Sequence, residues 1–161
     1  MSARVGQGFD AHRLVPDRRL VLGGVEIEHE RGLDGHSDGD VLLHAVASAL
    51  LGALGAGDLG SHFPSSDPEL AGIASSRLLG RVMQMVRERG LALVNLDATL
   101  IAQEPRLAPH REKIAAGVAD ALGAPRERVN VKLTSTDRLG ALGRGEGIAA
   151  QAVVLLEEAS A

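Results

Sequence analysis

Ile148-Ala149-Ala150-Gln151-Ala152-Val153-Val154-Leu155-Leu156 is the stretch on which the fold turns. Apart from Gln151 it is apolar at odd and even positions alike, and it is shorter than the roughly 10–12 residues of an ordinary helix. A short run that is apolar on both faces belongs at the centre of a sheet or between layers. Half-buried strands lie upstream of it. Val129, Val131 and Leu133 alternate with polar neighbours, as do Val94, Leu96, Ala98, Leu100 and Ala102 with Asn95, Asp97, Thr99 and Gln103. Arg4 to His12 reads as a first strand, and Arg19–Leu22 and Val25–Glu28 flank Gly23-Gly24, a two-residue hairpin turn.

Helical spacing separates these strands. The run Val41 to Leu54 is almost wholly apolar, and Ser37-Asp38-Gly39-Asp40 before it reads as an N-cap with an acid at the third position. Ser75-Ser76 is expected to cap a second helix, carrying Leu78, Leu79, Val82, Met83 and Val86 and stopped by Gly90. Pro109 suits the first turn of a third, with Ile114, Val118, Ala121 and Leu122 on one side and Gly123 beyond its end. Between the first two helices, Ser61 to Gly72 has no period and contains two prolines, the signature of a lid or mobile loop. The order β-β-β-α-α-β-α-β-β predicts an α+β fold: one domain over residues 1–161, a mixed β-sheet with helices packed on one face, and a small β-hairpin.

Composition bounds the function. The chain has 161 residues, no cysteine, a formal charge of −4, two phenylalanines and neither Trp nor Tyr. A disulfide framework is excluded, and no signal-peptide layout opens the sequence, so a cytoplasmic protein is expected. The Val41–Leu54 run falls short of the roughly 20 residues of a membrane span and holds His44 and Ser48, so no membrane partner is expected. Apart from Lys113 and Lys132 the 17 basic residues are Arg, and they are scattered, with no basic run to track a phosphate backbone and no aromatic platform for bases. Nucleic acid is not an expected partner.

Two constellations carry chemistry. Asp10 and His12, two apart on a strand, share a face, and His44 lies one turn inside the apolar helix. A set of imidazoles and carboxylates without thiolate suits zinc, and three protein ligands leave a fourth tetrahedral position open, as in a catalytic site. His36 then falls outside the ligand set, in the loop before the helix. Taken singly, a His in an apolar helix is more often an ordinary hydrogen-bonded core residue than a ligand. The second constellation is Thr134-Ser135-Thr136-Asp137 followed by glycines around Arg144, up to Gly147. Hydroxyls, backbone N–H groups bared by glycine and a guanidinium make a phosphate cradle, to which Asp137 could add a hard cation shared with the phosphates. The bland alternative is a glycine-rich turn between two strands.

Together these residues carry a resemblance. G-F-D-A-H ending at His12, H-S-D-G-D-V-L-L-H from His36 to His44, G-D-L-G from Gly57 to Gly60 and G-R-G-E-G from Gly143 to Gly147 stand in the order found in the 2-C-methyl-D-erythritol 2,4-cyclodiphosphate synthase family. The chain resembles that family from about Val5 to Leu156. The resemblance implies a lyase of non-mevalonate isoprenoid biosynthesis that cyclises 4-diphosphocytidyl-2-C-methyl-D-erythritol 2-phosphate and releases CMP. It implies zinc on Asp10, His12 and His44, and magnesium or manganese on Asp137 with the substrate phosphates. His36, Ser37, Asp58 and Gly60 would contact the methylerythritol part. Cytosine would lie on the Ala102–Leu107 loop, which includes Arg106, and Thr134, Ser135 and Thr136 would sit near the cytidine phosphates. A homotrimer is implied, with active sites between subunits and an apolar cavity on the threefold axis near Phe9, Arg144 and Glu146.

The chain departs from the family pattern at four places. Asp137 stands where many members carry Glu, Ala141 replaces a frequent Phe, and Ser48 and Ser65 each replace a frequent Asp. None removes an expected zinc ligand. Two other readings fit the residues alone: a metal-dependent phosphohydrolase, which would release a linear phosphate, and a trimeric binding module without turnover.

Overall fold

The computed structural model describes residues 2–160. Its centre is β7 (Gly147–Glu158), the strand expected from the doubly apolar stretch, which pairs antiparallel with β1 (Arg4–Pro16) on one side and with β5 (Leu91–Ile101) on the other. β4 (Arg31–Leu33) closes the β1 edge, β6 (Val129–Thr134) runs parallel to β5 at the other edge, and the sheet order is β4-β1-β7-β5-β6. β2 (Leu20–Leu22) and β3 (Val25–Ile27) form the expected hairpin, with Leu22 opposite Val25 across Gly23-Gly24. The mixed sheet and its hairpin confirm the α+β class. β4 went unseen in the sequence because three residues carry no period.

The long helices are α1 (Val41–Leu54), α3 (Ser75–Glu88) and α4 (Arg111–Leu122), the last crossing over between the parallel strands β5 and β6. Single-turn helices α2 (Leu59–His62) and α5 (Gly140–Gly143) complete the set among the described residues. Ile148, Ala150, Ala152, Val154 and Leu156 of β7 face the core at 0–1 % exposure. The opposite face differs from the expectation of burial on both sides: Val153, Phe9 and Val5 are 44 %, 56 % and 68 % exposed. Within one chain this second face of β7 is covered at Ala149 and partly at Leu155, but not at Val153.

Glycine sets the distance between α1 and the sheet. A Cβ on Gly6 would lie 1.8 Å from the Ala49 carbonyl oxygen, and one on Gly8 2.0 Å from that of Ala45. The strand can lie this close to the helix only because these positions lack a side chain. On that same face of β1, two and four residues beyond Gly8, come Asp10 and His12.

Helix starts differ from the sequence reading. Asp40, not Ser37, caps α1: its carboxylate accepts from Leu43 N at 3.1 Å and also from Gly23 N at 3.1 Å and Gly24 N at 2.7 Å, tying the hairpin turn to the helix. Burial pushes this carboxyl up to about 6 despite those three donors. Likewise α3 has no side-chain cap, because Ser75 turns inward. β5 carries an irregularity between Leu93 and Asn95, so Leu91 and Leu93 are buried, and then Leu96, Ala98 and Leu100. Val94 thus leaves the core face on which strict alternation put it. The 61–72 stretch is not structureless either. It contains the end of α2 and a 3₁₀ turn at Pro68–Leu70, and Leu70, Ile73 and Leu78 pack with Phe63 in a small core of their own.

Candidate metal centre and substrate pocket

β1 and α1 bring three ligand atoms together. His12 Nε2 lies 2.7 Å from Asp10 Oδ2, His44 Nδ1 lies 3.0 Å from the same oxygen, and the two ring nitrogens are 3.2 Å apart. This is the trio read from the sequence, and its three ligand atoms lie close enough together to share one ion. Zinc bonds of about 2.0–2.2 Å at the tetrahedral angle separate ligand atoms by roughly 3.3–3.6 Å. The trio is tighter than that, by about 0.1 Å between the two rings and by about 0.6 Å between Asp10 and His12, which are hydrogen-bonded to each other. The far nitrogen of each ring is also engaged: His12 Nδ1 with the Asp34 carbonyl oxygen at 2.5 Å, and His44 Nε2 with Ser75 Oγ at 2.8 Å and Ser37 Oγ at 3.0 Å. Such outer contacts fix ring orientation in metal sites.

Electrostatics agree with a cation site. Burial alone would raise the Asp10 carboxyl, but hydrogen bonds from His12 and His44 and their charge outweigh it and bring it down to about 2. His12 moves the other way. Burial disfavours its charge, and the hydrogen bond and negative charge of Asp10 more than compensate, so it is raised above 6.5. The carboxylate stays ionised and seeks a positive partner, a proton on His12 or a metal ion.

His12 and His44 of the trio line a pocket of about 230 Å³, with His36 and Ser37 on its polar side and Leu59, Phe63, Leu70 and Ile73 on its apolar side. His36 donates to the Asp67 carbonyl at 3.1 Å, and its own carbonyl accepts from Gly72 N at 2.8 Å, so the 61–72 segment is fastened over this pocket. Ser65, one of the departures from the family pattern, lies in its wall.

A second pocket of about 440 Å³ lies off the carboxyl ends of the parallel strands β5 and β6, lined by Ala102, Arg106, Leu107, Thr134 and Ser135. Ligands favour that end of parallel strands. Five further candidates line neither pocket. Asp58 caps α2, accepting from Ser61 N at 2.9 Å and Ser61 Oγ at 2.6 Å, and Gly60 follows it there. Thr136 Oγ1 donates to the Leu139 carbonyl at 2.7 Å. Asp137 is exposed in a left-handed conformation, φ 52°, with Arg138 at φ 65° beside it. Arg144 pairs with Glu146 at 3.2 Å. The cradle expected around Arg144 is the end of α5, not an open turn between strands.

Two contributors had no sequence signal that found them. The Asp34 carbonyl is backbone, and Ser75 looked like a helix cap. The fact that Ser75 serves the His44 ring follows only from where α3 meets α1.

Comparison with known proteins gives a consistent result. A family model described as the YgbB family matches residues 3–157. The 2-C-methyl-D-erythritol 2,4-cyclodiphosphate synthase of Thiobacillus denitrificans is 60% identical over 154 residues, covering 96% of each chain. Among solved structures, the bifunctional IspDF of Campylobacter jejuni superposes with a TM-score of 0.93 at 39% identity over 98% of this chain, which spans 42% of that longer protein. A 2C-methyl-D-erythritol-2,4-cyclodiphosphate synthase in its CDP-bound form matches with a TM-score of 0.88 at 36% identity, over 96% of this chain and all of that one.

Proposed function

The chain belongs to the YgbB family, and from that membership we propose that it converts 4-diphosphocytidyl-2-C-methyl-D-erythritol 2-phosphate into 2-C-methyl-D-erythritol 2,4-cyclodiphosphate and CMP. An oxygen of the 2-phosphate attacks the β-phosphorus, the bond from that phosphorus to the bridging oxygen breaks, and CMP leaves with the bond electrons. The chain is thus a phosphorus–oxygen lyase of isoprenoid biosynthesis. The observation that carries this reading is the convergence of Asp10, His12 and His44 beside a pocket that His12 and His44 line together with His36 and Ser37.

Asp10, His12 and His44 would hold zinc, and Asp137 would hold magnesium or manganese together with the substrate phosphates. Bound there, a divalent ion supplies Lewis acidity and a template for phosphate oxygens. No protein nucleophile is required, so the residues work by positioning and by excluding water. His36 and Ser37 grip the methylerythritol part, together with Asp58 and Gly60, which flank the pocket-lining Leu59 at the start of α2. Ala102, Arg106 and Leu107 receive the cytosine, and Thr134, Ser135, Thr136 and Arg144 attend the phosphates. The segment fastened by His36 keeps bulk water from the diphosphate.

A homotrimer with active sites between subunits is part of this proposal. The uncovered apolar face at Val5, Phe9 and Val153 supports it, as does the division of the candidate residues between two separate pockets of one chain. Among the described residues no helix is long and apolar enough to cross a membrane, and we place the enzyme in the cytoplasm.

The test is product identification by ³¹P NMR after incubating the full chain, zinc and magnesium with the cytidine diphosphate substrate. A cyclic diphosphate with stoichiometric CMP is expected. An open phosphate formed by attack of water would overturn the cyclase in favour of a phosphohydrolase.

A further inference from the structure

We infer that Ser75, backed by the carboxylate of Asp38, is a positioning residue that sets which nitrogen of His44 is free to bind a metal. The inference rests on the reading of Asp10, His12 and His44 as ligands. His44 must present Nδ1 without a proton on the Asp10 side, which requires the ring proton to be on Nε2.

Two hydroxyls face that Nε2, and they are not equivalent. Ser75 Oγ is the nearer, at 2.8 Å, and Ser75 is 1 % exposed at the start of α3. Asp38 grips this serine twice: its Oδ2 accepts from Ser75 N at 3.0 Å, and its Oδ1 accepts a short hydrogen bond from Ser75 Oγ. Asp38 Oδ1 also accepts from Asp40 N at 3.1 Å, which fixes the carboxylate in place. A hydroxyl has one proton and two lone pairs. With its proton given to Asp38, Ser75 Oγ can only accept, so the bond to His44 requires Nε2–H. The chain of donors then runs from His44 through Ser75 to Asp38.

Ser37 Oγ lies at 3.0 Å from the same nitrogen and accepts from Gly39 N at 3.2 Å, but no carboxylate claims its proton. Ser37 Oγ also lies 3.3 Å from Ser75 Oγ, to which it can donate while Asp38 holds the Ser75 proton, and because Ser37 lines the pocket the same proton can turn to a ligand there. The two serines therefore divide their tasks: Ser37 faces the substrate, and Ser75 orients the ring. Partners of this kind behind a metal-bound histidine change metal affinity by roughly 10- to 100-fold when removed.

A zinc-competition titration against a chromophoric chelator tests this on the full chain, using Ser75→Ala, Asp38→Asn and the double variant. The parent should bind one zinc, and Ser75→Ala should weaken it by about 10- to 100-fold. Asp38→Asn should cost no more than about twofold once Ser75→Ala is present, because a relay is broken only once. In the zinc-loaded parent, NMR of the His44 ring should show a protected Nε2–H that is lost in Ser75→Ala, a signature that simple loosening of α3 would not produce selectively. Parent-like affinity in Ser75→Ala, or full multiplication of the two losses in the double variant, would overturn the relay while the zinc site stands. Absence of zinc binding by the parent would overturn the metal reading, and the relay with it.

Discussion

Replacing Gly8 with Ala should disable the metal centre without touching a ligand. The added Cβ would lie 2.0 Å from the Ala45 carbonyl oxygen and 2.7 Å from Ala49 N, whereas real Cβ contacts essentially never fall under 3.0 Å. Relief requires α1 to move off β1 by at least the difference, 3.0 − 2.0 = 1.0 Å. Ala45 adjoins His44, so that shift takes the 3.0 Å gap from His44 Nδ1 to Asp10 Oδ2 to roughly 4 Å, against a tolerance of about 0.2 Å for metal–ligand distances. Drawing the ligand back means restoring an overpacked contact worth about 1–3 kcal/mol, which corresponds to roughly 5- to 150-fold weaker zinc binding. The assay is zinc affinity by chelator competition, paired with thermal unfolding of the metal-free protein. Gly52→Ala is the control on the same helix: its Cβ would meet Gln7 O at 3.7 Å, an ordinary contact, and Ala should stabilise an exposed helical site by about 1 kcal/mol. A Gly8→Ala protein with parental zinc affinity and melting temperature would refute the claim that bare glycine backbone sets the ligand spacing.

Other outcomes are equally definite. His44→Ala should lose zinc and turnover together, and full activity in a metal-free variant would remove the metal from the mechanism. Because His12 is raised above 6.5 by Asp10 and must be neutral to bind zinc, affinity should already decline on acidification above pH 6.5, and a flat titration from pH 8 to 6 would contradict the ligand set. Asp40 titrates in the opposite sense to a paired surface acid. Its folded value of about 6 lies above the ordinary 3.8, so the native state takes up a proton first and the cost of burying the charge fades as pH falls from about 6 to 4. The parent should gain stability relative to Asp40→Asn over that window, read by urea unfolding at several pH values. Asp40→Ala, which strands three backbone N–H groups, should cost about 2–4 kcal/mol in the same assay. Phe9→Asp, on the uncovered face of β1, should reduce the proposed trimer to monomers in light scattering, and an unchanged mass would move the interface elsewhere.

Much of the site was legible because its elements are regular. Asp10 and His12 declare a shared face by their spacing on β1, and His44 stands out as a polar residue in an otherwise apolar helix. Ser37 and Ser75 show where that legibility stops. Ser37 lies just before α1 and Ser75 opens α3, places where serine ordinarily caps, and both instead turn their hydroxyls to the His44 ring. Val94 failed for another reason, since an irregularity in β5 reverses the alternation that a regular strand would keep.

The sequence by itself determined the class of fold, the order of its main elements and the membership of the candidate metal-binding trio, because period and composition report which face of an element a side chain occupies. Only the tertiary structure decided what stands opposite each face. It set the helix-to-strand distance through Gly6 and Gly8, gave Asp40 to the hairpin turn, placed Ser75 and Asp38 behind His44, separated the two pockets and left Phe9 and Val153 uncovered. Such distances arise from packing between layers that are remote in the chain, and no local pattern encodes them.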